Sequence, residues 1–159
     1  IREFEDREIS GPAVDALIEA LLWAPSAGNL QSRKFYFVFD RDRRRDLAKA
    51  ALRQDFIARA PLVVVACTDR RIAERYGDRG VHLYSIQDAA ASVMNMMLVA
   101  EEMGLGTVWV GAFNEFDVVE VLELPDTLRP VAIVPVGYPM RTPHAPRRVR
   151  KEEAVVLLP

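Results

Sequence analysis

The run Leu62–Cys67 limits the folds open to this chain more than any other segment. It is continuously apolar and rich in valine, with no polar side chain to meet water on either side. Such a run suits a strand buried on both faces, and the mixing of helical and extended patterns around it predicts a helix-covered sheet. Ser10-Gly11-Pro12 opens a helix, with proline in the first turn where its missing N–H does no harm. Val14, Leu17, Ile18, Leu21 and Leu22 follow at helical spacing, and Pro25 ends the helix. Phe35–Phe39 reads as a strand, and Asp42 is placed to cap a short helix running to about Arg53. Arg70–Gly80 is highly charged and reads as an exposed connection. The longest amphipathic pattern begins near Ser85. Ile86, Ala89, Ala90, Val93, Met94, Met97 and Leu98 share a face, Ser85 and Asp88 have capping-box spacing, and Gly104 is the stop. Thr107–Val110 is a further strand, Asn114 caps a short helix ended by Pro125, and Val131–Val136 is the last core strand.

A length of 159 residues suits one domain, spanning 1–159. The net charge of −2 supplies no global field to recruit nucleic acid or an anionic membrane. The cationic side chains are uneven, with five between Arg141 and Lys151 and no acid among them. The single cysteine, Cys67, excludes an internal disulfide and reads as a buried core thiol. No signal-peptide pattern or bilayer-length apolar stretch is seen, so a cytoplasmic location is expected. GxGxxG after a strand, the P-loop and GxSxG are all missing, and His82 and His144 lack metal-ligand spacing. No metal site and no catalytic side chain is therefore expected; the chemistry belongs to a cofactor that the protein orients. The apolar tail Ala154–Leu158, beyond the basic stretch, suggests a partner subunit.

Ala24-Pro25-Ser26-Ala27-Gly28-Asn29-Leu30-Gln31 is the most informative stretch. Its small side chains allow close backbone approach to a flat ligand, and Ser26, Asn29 and Gln31 offer donors and acceptors to a heteroaromatic rim. By composition alone it is a helix-to-strand turn. The stretch resembles the APSxxNxQP signature of the nitroreductase family. Other blocks resemble that family in the same order: Ile1-Arg2-Glu3-Phe4, Ile57–Pro61 with Leu62–Ala66, Ile86–Ala100, Gly104–Phe113 and Val131–Pro139. Together they cover nearly the whole chain.

The resemblance implies an α+β fold: a three-layer α-β-α sandwich with a mixed, largely antiparallel sheet, in a homodimer. It also implies flavin mononucleotide (FMN) bound at the subunit interface, with both chains contributing. Arg2 would face the FMN phosphate, as a guanidinium can with its bidentate fork; taken alone it reads as a solvated arginine. Pro25, Ser26, Ala27, Asn29 and Gln31 would line the ring and ribityl chain. Val110 and Gly111 would lie against the ring, with a backbone N–H near its N5; their plainer role is strand end and turn. Arg148 and Arg150, with Arg147 as an alternative register, would reach the phosphate, or else form a solvated basic tail. The implied activity is hydride transfer from NADH or NADPH to flavin N5, then electron transfer to a nitroaromatic, quinone or similar electron-poor acceptor, in ping-pong order.

Two departures from the family pattern stand out. Ser32-Arg33 replaces the frequent Pro-Trp, which bears on the substrate side of the pocket. The family's first phosphate-facing arginine and a nearby serine would fall ahead of Ile1. Tyr76, Tyr84 and Trp109, and the methionines Met94, Met96, Met97 and Met103, read as packing. Other readings are a specialised flavoenzyme of the same fold (dehydrogenation or dehalogenation), a non-catalytic flavin-binding module, and a dimer that has lost its cofactor.

Overall fold

The computed structural model of the chain describes residues 1–158; Pro159, the last residue of the expected 1–159 domain, lies outside the described residues. The apolar run forms β2 (Leu62–Asp69), and every residue of that strand is buried. One edge of β2 pairs with β1 (Arg33–Val38), from Arg33↔Thr68 to Val38↔Val63. The other edge pairs with β4 (Leu128–Gly137), with a bulge between Ala66 and Cys67. β3 (Gly106–Thr107) completes the order β1-β2-β4-β3 by pairing with the end of β4. All of these pairings are antiparallel.

Side chains alternate across a strand, so β2 feeds two cores. Val63, Val65 and Cys67 pack with Leu47 of α2 (Arg41–Ala50), Ile57 of α3 (Phe56–Arg59) and Val118 and Leu122 of α6 (Glu115–Leu122). Leu62, Val64 and Ala66 pack with Leu17 and Leu21 of α1 (Gly11–Leu22) and Val93, Met96 and Ala100 of α5 (Ser85–Glu102). The three layers expected from the resemblance are present.

Several local expectations need correction. Asp40, not Asp42, caps α2: its carboxylate accepts the Arg43 amide at 2.8 Å, and the helix ends at Ala50 because Leu52 and Arg53 turn left-handed. α1 stops at Leu22, before Pro25. Arg70–Gly80 is largely exposed but helical, forming a single 3-10 turn at Arg70–Ile72 and then α4 (Ala73–Arg79). A wide turn at Gly80–Tyr84 runs straight into α5, so Ser85 is no cap; its hydroxyl donates to the Val81 carbonyl at 3.0 Å. The expected strand Thr107–Val110 is shorter, since beyond Thr107 only Val110 bridges to Ile133. Gly104 does stop α5, at φ +73°, and Asn114 does cap α6 by accepting the Phe116 amide at 3.0 Å. After the four-residue helix α7 (Lys151–Ala154), the apolar tail Val155–Leu158 is exposed.

Cys67 is fully buried, and burial pushes its thiol up to about 12, against a small opposing pull from Lys34. The native protein should therefore leave Cys67 unmodified by a thiol-specific reagent at about pH 8 and react fully once unfolded. Rapid modification of the folded protein would contradict this packing of β2.

Candidate cofactor site

The segment Ala24–Gln31 crosses from α1 to β1. Gly28, Asn29 and Gln31 all adopt left-handed backbone, at φ +54°, +55° and +52°. A single tight turn at Ala27–Asn29 is closed by Asn29 N–H to the Ser26 carbonyl at 3.0 Å, and the Ser26 hydroxyl accepts the Gln31 amide at 3.1 Å. The turn expected from composition is thus present, and part of Ser26 is used in building it. Asn29 and Gln31 are exposed, and their side-chain amides meet only at 3.5 Å, the outer limit of a hydrogen bond. Both remain available to a ligand.

The loop is held from below. Asp88 of α5 accepts the Ala27 N–H at 2.9 Å, and Arg33 of β1 donates to the carbonyls of Ala24 at 2.8 Å and Leu22 at 3.3 Å. Burial raises the Asp88 carboxyl above its ordinary range, opposed by the Ala27 N–H and by the Arg33 charge. Arg33 thus has hydrogen bonds beneath the loop, although its position was expected to bear on the substrate side. Sequence reasoning missed both anchors, treating Asp88 as a capping acid. The signal available was an acid placed among the apolar positions of α5, where an unpaired charge is costly. The ring of Tyr76 also abuts Gly28, where an added Cβ would collide with the tyrosine hydroxyl.

The remaining candidates lie elsewhere. The Ile1 backbone nitrogen donates to the Thr107 carbonyl at 2.9 Å, and the Arg2 guanidinium lies 5.4 Å from the centre of the Phe56 ring. Arg2 has no carboxylate partner among the described residues. A cleft of about 450 Å³ beside it is also lined by Arg141 and His144, and Arg141 pairs with Glu3 at 2.6 Å. Arg141 is a second cation here that the sequence reading placed only in a basic run. Val110 is buried and exchanges backbone hydrogen bonds with Ile133 at 2.9 and 3.0 Å. Gly111 is exposed, and a Cβ there would meet only the Trp109 indole nitrogen, at 3.8 Å. Arg148 donates to the carbonyls of Pro146 and Arg147, and Arg150 pairs with Glu153 at 2.8 Å; both are exposed, outside that cleft.

Phe56, under Arg2, leads into the start of β2, whereas Arg33, under the loop, pairs with Thr68 at its far end. At about 3.3 Å per residue these ends are roughly 20 Å apart, so one chain does not bring Arg2 to its own loop. The donor set nevertheless fits a flat, phosphorylated heteroaromatic: free amides at Asn29 and Gln31, open backbone at Gly111 and a guanidinium without a carboxylate at Arg2. Among the described residues no group of three or more His, Cys, Asp or Glu could hold a metal, and no helix is long and apolar enough to cross a membrane.

Comparison with known proteins identifies the family and the fold. The model of the nitroreductase family matches residues 1–54 and 38–138, and the chain belongs to that family. Among its relatives, the FMN reductase (NADPH) of Bacillus subtilis is 29% identical over 166 residues, covering 96% of this chain and 67% of the relative. The solved structure of the NfrA1 nitroreductase from B. subtilis superposes with a TM-score of 0.91 at 26% identity, covering 98% of this chain and 69% of that one. The NADPH:FMN oxidoreductase from Vibrio harveyi, solved in complex with NAD+, gives 0.90 at 28% identity, covering 99% and 72%.

Gly28 joins a left-handed backbone to close contact with Tyr76, so its substitution tests the loop directly. Gly28→Ala should lower stability by about 1–2 kcal/mol from the backbone alone. Adding Tyr76→Phe, which removes the nearest atom, should recover part of any further loss. Equal denaturant midpoints for Gly28→Ala and the parent protein would contradict the loop geometry.

Proposed function

We propose that the chain is an FMN-dependent oxidoreductase that takes electrons from NADH or NADPH and passes them to nitroaromatic, quinone or similar electron-poor acceptors. Residues 1–159 would form one FMN-binding unit that works as a homodimer. One observation carries this reading: loop amides free to grip a heteroaromatic ring and a guanidinium free to grip phosphate lie at opposite ends of β2. Two copies related by a twofold axis can bring one loop to the other copy's Arg2. The exposed apolar side chains of Trp23, Met94 and Leu98 on the α1/α5 side support such an interface, as does the tail Val155–Leu158.

Within that site each group has a definite task. Asn29 and Gln31 would orient the ring by its polar rim, while Pro25, Ser26 and Ala27 form the floor on which it lies. Val110 fixes the backbone through Ile133, so that the Gly111 N–H is held ready at the opposite edge. Arg2, with Arg141 beside it, would hold the phosphate, and Arg148 and Arg150 would do so only after leaving their present partners. Bound FMN would supply the hydride acceptance and the electron delivery. The protein's share is placement of donor and acceptor in turn over one face, which gives ping-pong order without an acid or base from the chain.

A complementation experiment tests the two-chain site. Arg2→Ala and Asn29→Ala should each weaken FMN binding at least about tenfold. Co-expressed and randomly paired, the two variants should regain about a quarter of the tight FMN sites, because each mixed dimer rebuilds one site and spoils the other. No recovery in the mixture would place both residues at a site within one chain, or at no site.

A further inference from the structure

We propose that Asp88 and Arg33 are positioning residues that set the Ala24–Gln31 backbone in its ligand-ready shape before any cofactor arrives. This rests on the reading of that loop as the flavin floor. The loop is an unfavourable conformation to hold, with left-handed backbone at Asn29 and Gln31 as well as Gly28. Its own hydrogen bonds are local and partly exposed. The two bonds that tie it to the body of the protein come from fixed elements: the Ala27 N–H to Asp88 on α5, and the Ala24 carbonyl from Arg33 on β1.

The charges of Asp88 and Arg33 attract, yet no ion pair between them is present among the described residues. A pair serving only to join α5 to β1 would close on itself. Here each group instead directs a hydrogen bond to the loop backbone, and Asp88 Oδ2 and Arg33 Nη1 stay buried without a protein partner. Asp88 is only 6% exposed, and the buried Ser92 stands one turn along the same face of α5. The effect is preorganisation. A loop already fixed in its binding shape does not have to be ordered when ligand binds.

Amide hydrogen exchange on the cofactor-free protein tests this without any turnover, and FMN titration follows it. Asp88→Ala should speed exchange of the Ala27 amide about tenfold while the amides of β2 keep their protection. Asp88→Asn keeps an acceptor oxygen and should restore protection to within about threefold. FMN affinity should fall and recover in the same order. Arg33→Gln, which weakens the hold on the Ala24 carbonyl, should loosen the same segment and serves if Asp88→Ala does not fold. Unchanged exchange at Ala27 in Asp88→Ala, or in Arg33→Gln where that variant must stand in, would overturn the proposal. So would equal acceleration of every amide, which would reduce the pair to a global stability role. A parent protein that takes up no FMN but shows the local exchange effect would sink the flavin reading and uphold the anchoring.

Discussion

Burial of β2 on both faces is the constraint on which the rest of the structure depends. Eight successive residues, Leu62–Asp69, are withdrawn from water, so neither face of the sheet can be left bare. α1 and α5 cover one face and α2, α3 and α6 the other, each contributing aliphatic side chains to one of the two cores. With both faces occupied, only the sheet's ends, its edges and the outer surfaces of the helices remain for function. The candidate loop accordingly enters β1 at one edge, Val110 and Gly111 flank the opposite edge, and Arg2 sits toward the start of β2.

The fold was legible where one local signal dominated. The valine-rich run, the spacing of Leu17 and Leu21, the left-handed Gly104 and the Asn114 cap all appear as expected. Misreadings arose where a nearby competitor satisfied the same chemistry. Asp40 caps α2 in place of Asp42, and the turn at Gly80–Tyr84 supplies Ser85 with a carbonyl, which removes its role as a cap. Arg70–Gly80 looked like a connection because its charges obscured a helix whose exposed face needs no apolar stripe. For the site, the loop was legible as an ordered group of small and amide residues. Its anchors were not, because Asp88 and Arg33 act across distances in sequence that no local pattern encodes.

The proposed function rests on membership of the nitroreductase family together with the placement of the candidate residues in one chain. Under that proposal, few charged side chains take part in the reaction and many backbone groups hold a surface in place. Such a site would suit a cofactor that carries its own reactivity, with the protein's share being positioning. Under the proposed function, the division of candidate residues between distant ends of β2 is what calls for a second copy.

The most direct measurement is the absorption spectrum of the purified protein after incubation with FMN and removal of the excess, before and after anaerobic addition of NADH or NADPH. The account predicts protein-bound flavin bands near ~450 nm that bleach with at least one donor. A colourless protein that retains no FMN, or a yellow one that neither donor bleaches, would contradict it.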